Sequence, residues 1–164
     1  MRAEDQLEAL ASIRALLDPL GIEHWLFGGW AVDFHAGKVS RRHDDLDLAV
    51  WLVDHDRIAA LLATDGWRHA PEEGEDGYTG YRRQNVRLEL AFLVRETNGD
   101  IYTPLKEGRG TWPEASFGDD VAELRGVRIR LISLNALKAD KSEVHDDPQV
   151  AAKDRADLAT LAAV

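Results

Sequence analysis

Apolar residues recur along the chain with two spacings, one helical and one alternating, and the two follow each other irregularly. Leu7, Leu10, Ile13, Leu16, Leu17 and Leu20 fall at helical spacing, and Pro19 with Gly21 ends that pattern. Residues 25–27 (WLF) form a short apolar strand that runs into Gly28 and Gly29, and a short helix over about 30–35 follows. After a polar loop, residues 45–50 read as a strand. Asp54 or Asp56 caps a helix through Leu62, with Ile58, Leu61 and Leu62 on one apolar face. Residues 80–83 and 87–94 are strands separated by Gln84 and Asn85, as in a hairpin. Val127, Ile129 and Leu131 alternate with Arg128 and Arg130, the mark of a half-buried strand. Ser133 opens a helix through about Val144, and Asp147 with Pro148 opens a last, Ala-rich one. This order predicts an α/β (α+β) sandwich, a mixed β-sheet flanked by helices, rather than a doubly wound parallel sheet.

At 164 residues the chain suits a single domain over 1–164, with a core at about 20–95 and a C-terminal strand and helices at about 126–163. With 45% hydrophobic and 30% charged residues it can bury a real core, which excludes disordered and fibrous classes. The formal charge of −10 is concentrated in the first half, where 16 acidic side chains face 8 basic ones. Such a balance argues against a nucleic-acid partner and favours a cationic one. The absence of Cys removes disulfides, thiolate nucleophiles and Cys-ligated zinc. No apolar run approaches a membrane span and the N-terminus is acidic and amphipathic, so a cytoplasmic protein is expected. Residues 71–77 (PEEGEDG) read as a solvated loop.

The chemistry concentrates in WLFGGWAVDFHAGKVSRRHDDLDLAV, residues 25–50. A Gly28-Gly29 turn between strand and helix bares backbone N–H groups, which suits either a structural tight turn or a phosphate. Asp45 and Asp47 lie on one face of their strand, about 7 Å apart along the backbone, while Leu46 and Leu48 enter the core. Paired carboxylates on an apolar strand need compensation. It can come from water, from Arg41, Arg42 or His43, or from a shared divalent cation such as Mg²⁺. Glu89 repeats the apolar-acid-apolar pattern in the strand 87–94. If the two strands are neighbours it joins the acids as metal ligand or general base, and its alternative is an ion pair with Arg87. Trp25 and Trp30 read as core, whereas Trp51, Trp67 and Trp112 carry no assigned role, and the stretch after Trp112 reads as a surface loop, with contacts to an acceptor as the alternative.

GGWAVD, the loop with Gly37-Lys38-Val39, RRHDDLDL and the later acid at Glu89 resemble the DNA polymerase beta-like nucleotidyltransferase superfamily. Within it the chain is similar to the small aminoglycoside 2''-nucleotidyltransferases and lincosamide nucleotidyltransferases. The resemblance implies a polymerase beta-like nucleotidyltransferase fold. It implies transfer of a nucleoside monophosphate, AMP from ATP, onto a hydroxyl of a small acceptor, with two Mg²⁺ held by Asp45, Asp47 and Glu89. Gly28, Gly29, Arg41, Arg42 and Lys138 would bind the nucleotide, with Lys141 an alternative to Lys138. His43 and Asp33 read as structural, and Lys153-Asp154 with Asp157-Leu158 is similar to a C-terminal helix signature of the family. The acidic total favours a polycationic aminoglycoside over a lincosamide. Competing expectations are modification of a protein or tRNA, as in toxin and antitoxin pairs, and a non-catalytic nucleotide-binding protein. A chain this short also suggests a homodimer whose second copy completes the cleft.

Overall fold

The spine of the sheet is β5 (Val86–Arg95), a strand whose Leu88, Leu90 and Leu93 are all buried. The computed structural model describes residues 2–164. On one side β5 runs parallel to β2 (Leu46–Trp51), which pairs antiparallel with β1 (His24–Phe27). On the other side it pairs antiparallel with β4 (Tyr78–Arg83), whose outer neighbour is β3 (Arg68–His69). The far end of β5 carries an antiparallel extension, β6 (Ile101–Pro104) and β7 (Arg109–Thr111). The order β1-β2-β5-β4-β3 contains one parallel pair and is the mixed sheet that the pattern predicts.

Helix α1 (Ala3–Leu17) buries Leu7, Leu10, Ile13 and Leu17 at spacings of three and four. It gives way to a 3-10 turn over Asp18–Leu20, closed by Gly21 at φ 66°. Leu20, expected on the apolar face, instead lies beyond the helix and is 54% exposed, because the turn at Pro19 rotates it outward. Helix α2 (Gly28–Ala36) leaves β1 directly, and α3 (His55–Thr64) follows β2. Asp54 occupies the cap position of α3 but makes no capping bond, since its carboxylate accepts from Arg57 at 2.8 Å.

A two-stranded hairpin, β8 (Val121–Leu124) with β9 (Val127–Arg130), abuts β1, where the Ile132 N–H donates to the Leu26 carbonyl at 3.1 Å. Ser133 caps α4 (Leu134–Lys141) by accepting from the Ala136 N–H at 3.1 Å. This helix stops one turn short of Val144, which is solvent-exposed. Asp147 and Pro148 open α5 (Pro148–Ala162) as the sequence predicts, with the Asp147 carboxylate accepting from the Gln149 N–H. Strands β3, β6, β7 and β8 are not foreseen by the pattern: they are two to four residues long, and pairing with a neighbour rather than local alternation defines them. Trp25 and Trp30 are core residues, and Trp25 meets Trp51 and Phe117 edge-on.

Candidate active site

Strand register assembles the acids. Asp47 stands opposite Phe27 of β1 on one side and opposite Glu89 of β5 on the other. Asp45, two residues before Asp47 at the mouth of β2, projects to the same face. One oxygen from each of Asp45, Asp47 and Glu89 lies within 4.8 Å of the others. The hydrogen-bonded pair expected as an alternative for Glu89 also exists: Arg87 Nε donates to Glu89 Oε1 at 3.2 Å.

Burial followed by repulsion from Asp45 and Glu89 lifts the Asp47 carboxyl well above its ordinary range. Asp45 is raised by burial and by Asp44, and Glu89 by burial and by Asp45. Three hard oxygen donors that resist ionisation together suit a divalent cation such as Mg²⁺, whose charge would relieve all three. Room for Asp47 is made by Gly28, at φ 73°, where an added Cβ would overlap the carboxylate. Carboxyls with raised folded pKa stabilise the chain below their unfolded values and cost stability as pH rises through the folded ones. The metal-free chain should therefore gain stability as pH falls from neutrality into the acid range, and Mg²⁺ should raise its melting temperature more at neutral than at acid pH. Thermal melts with EDTA or Mg²⁺ at both pH values test this.

The cations are organised by one buried acid on α5. Arg41 donates from Nε and Nη2 to the two oxygens of Asp157, at 2.8 and 2.9 Å, and Lys141 Nζ meets Asp157 at 3.0 Å. Burial works against charge on Asp157, but the hydrogen bond from Arg41 and the attraction of Lys141 hold its carboxyl below the ordinary value. Lys153 pairs with Asp44. Arg42 is exposed and lines a separate hollow with Ala3, Gln6 and Trp30, and Lys138 is exposed and lines neither of the cavities that reach the acids. Asp33 and His43 are both buried and bonded to each other at 2.6 Å, and the Ser40 N–H donates to Asp33 as well.

Two cavities meet at the acids. A cavity of about 410 Å³ holds Gly28, Gly29, Arg41, Lys141 and Lys153 around Asp45, Asp47 and Glu89. A larger one of about 1100 Å³ shares Asp47, Glu89 and Asp140, adds Asp76, Glu143, Tyr78 and Trp112, and has no Lys or Arg in its lining. For this second half the sequence offers only acceptor contacts from the loop at Trp112, as the alternative to a plain surface loop. Ala136, Ala139, Asp140 and Glu143 form a stripe at helical spacing, but nothing local says what the stripe faces. Asp76, Tyr78 and Trp112 come from loop and strand ends that carry no periodic signal. Trp112 is braced edge-on by Phe27 and Phe117, and its Nε1 donates to Thr103 Oγ1 at 2.9 Å.

A family model described as aminoglycoside-2''-adenylyltransferase matches residues 9–161. A 2''-aminoglycoside nucleotidyltransferase of Klebsiella pneumoniae is 42% identical over 114 residues, which are 69% of this chain and 62% of that relative, so the match spans less than two thirds of the relative's length. The fold is similar to the crystal structure of the lincosamide antibiotic adenylyltransferase LnuA with lincomycin bound, with a TM-score of 0.75 at 20% identity over 94% of this chain and 95% of that one. It is also similar to ANT(2'')-Ia in complex with adenylyl-2''-tobramycin, with a TM-score of 0.72 at 22% identity over 97% and 91% of the two chains. These likenesses show a nucleotidyltransferase fold.

Proposed function

We propose that this chain, which belongs to the aminoglycoside-2''-adenylyltransferase family, moves AMP from ATP onto a hydroxyl of a small polycationic antibiotic. The observation that carries this is the split cleft: the acid cluster lies between a cavity in which Arg41, Lys141 and Lys153 stand beside Asp44, Asp140 and Asp154, and a cavity with carboxylates and aromatic rings but no Lys or Arg. A triphosphate is strongly anionic and suits the first half, where Arg41 and Lys141 are already oriented by Asp157. Lys141 takes the phosphate role that the family resemblance offered first to Lys138, because Lys141 faces the cleft. Gly28 and Gly29 line this half at the start of α2, where free backbone N–H groups suit a phosphate, while their missing side chains make room for Asp47, His43 and Arg41. An acceptor with several ammonium groups suits Asp76, Asp140 and Glu143, and its rings suit Tyr78 and Trp112. A lincosamide, with one amine, would use fewer of these carboxylates.

In the transfer, the acceptor hydroxyl oxygen forms a bond to the α-phosphorus, the bond from that phosphorus to the bridging oxygen breaks, and pyrophosphate leaves. Asp45, Asp47 and Glu89 would hold two Mg²⁺, which neutralise charge that builds on the phosphates. Glu89, at the junction of the two cavities, is suited to accept the proton of the attacking hydroxyl. Alignment and charge neutralisation supply the catalysis, and no covalent intermediate with the protein is needed. The cytoplasm, where ATP is available, is the proposed compartment.

The test is pyrophosphate release from ATP and Mg²⁺ across a panel of aminoglycosides and lincosamides. Release with aminoglycosides is expected. Silence across both classes, with activity on a protein or RNA, would move the assignment to a macromolecular acceptor. Calorimetry that finds no Mg²⁺-dependent ATP binding would remove the enzyme assignment altogether.

A further inference from the structure

Arg87 is the cation nearest Glu89 along the chain, yet it lines neither cavity. Its side chain is only 8% exposed. Nε lies 3.2 Å from Oε1 of both Glu89 and Glu72, Nη1 donates to the Ala70 carbonyl at 3.0 Å, and Nη2 is buried without a hydrogen-bond partner. A buried guanidinium with an unmet donor is costly, so its position needs a reason. Space for it comes from Gly80, the residue opposite Glu89 on β4. A Cβ at Gly80 would overlap the guanidinium, 2.6 Å from Cζ and 2.9 Å from Nη1. Gly80 does not have the positive φ that demands glycine, so its missing side chain serves the arginine rather than the backbone.

The same guanidinium touches two segments that lead into the cleft. Ala70 and Glu72 begin the segment whose far end supplies Asp76, Gly77 and Tyr78 to the acidic cavity. Glu89 is the third member of the acid cluster, and its side chain has one more rotatable bond than an aspartate at that position would have. Commitment of Oε1 to Arg87 restricts the carboxylate to one orientation.

We propose that Arg87, seated over Gly80, is a positioning residue that ties the acceptor-side wall to the third acid of the cluster. Its effect is geometric and acts through Glu89 and the segment from Ala70. This builds on the nucleotidyl-transfer assignment of the cleft given above.

The experiment uses the full chain with Arg87→Met, Gly80→Ala, the double variant and Arg87→Lys. Two quantities are measured: Mn²⁺ binding to the protein alone by electron paramagnetic resonance, and kcat with separate KM values for ATP and acceptor. Arg87→Met should lower Mn²⁺ affinity and kcat by about 10- to 100-fold, the range for residues that orient metal ligands, and raise the acceptor KM while leaving the ATP KM unmoved. Gly80→Ala should reproduce the loss without removing a charge, by displacing the guanidinium, and it carries the test if Arg87→Met fails to fold. The double variant should be no worse than Arg87→Met, because both changes break one device. Arg87→Lys should recover part of the loss, since an ammonium can pair with Glu89 but lacks the fork that spans all three partners. Wild-type Mn²⁺ affinity and kcat in Gly80→Ala, or losses that add in the double variant, would overturn the positioning role. A wild-type chain that neither binds Mn²⁺ nor releases pyrophosphate would instead overturn the nucleotidyl-transfer assignment, and the inference with it.

Discussion

Asp47→Asn should abolish pyrophosphate release and at the same time raise the melting temperature of the metal-free chain. The two effects share one cause. Asp47 is held by register between Phe27 and Glu89, with Gly28 leaving space for its carboxylate. Burial, Asp45 and Glu89 all oppose its charge. Asparagine keeps the shape and removes the charge, so the repulsion among the three acids falls and the fold gains. What is lost is the central anionic oxygen of the cluster, on which the proposed Mg²⁺ site depends. Charge stabilisation by a bound metal is worth several kcal/mol in the transition state, which at 1.36 kcal/mol per decade is a loss of about 10³-fold or more. A pyrophosphate assay and a thermal melt in EDTA, on one preparation, read both. If the carboxylate were only a structural partner, removing its charge would lower stability and spare turnover; an active Asp47→Asn enzyme would refute the metal role.

The acids were legible in the sequence because they form local anomalies. A carboxylate between two apolar residues of a strand is costly wherever that strand lies, so Asp47 and Glu89 stand out without any knowledge of the fold, and Asp45 joins Asp47 by the two-residue alternation of a strand. Their convergence was not legible: it depends on β2 and β5 being parallel neighbours in the register that sets Asp47 beside Glu89. The cations were less readable for the same reason. Lys138 and Lys141 are one helical turn apart on α4, and only the packing of α4 against α5 decides that Lys141 meets Asp157 while Lys138 meets water. Arg41 and Arg42 are adjacent, and the contact that turns Arg41 inward comes from a residue 116 positions away. The acidic half of the cleft was the least visible. Trp112 and Asp76 lie where the chain has no period to break, and residues 71–77, expected as a solvated loop, end by contributing a cleft wall.

Asp157→Ala should cost about 3–5 kcal/mol of stability, the penalty for removing one partner of a buried ion pair and leaving the other charges uncompensated. For a chain of this size that corresponds to a drop in melting temperature of about 10 °C or more. Asp157 is fully buried, accepts two bonds from Arg41 and pairs with Lys141, and so ties α5 to the loop before β2 and to α4. Without it, Lys141 retains the looser pair with Asp154, at 3.6 Å, and Arg41 loses its bidentate partner. The sign of the pH dependence separates this from a simple packing loss. Asp157 titrates below its ordinary value in the folded chain, so its stabilisation is present above the unfolded pKa and is lost as pH falls through the folded one. The gap in unfolding free energy between wild type and Asp157→Ala should therefore be widest near neutrality and narrow in acid. Urea unfolding at several pH values measures it. A gap of less than about 1 kcal/mol, the value of an exposed pair, would mean that solvent already compensates Arg41 and Lys141. The KM for ATP would then also be unchanged. If the gap is large, the two cations lose their orientation, and that KM should rise while the acceptor KM, which depends on the opposite wall of the cleft, stays where it was.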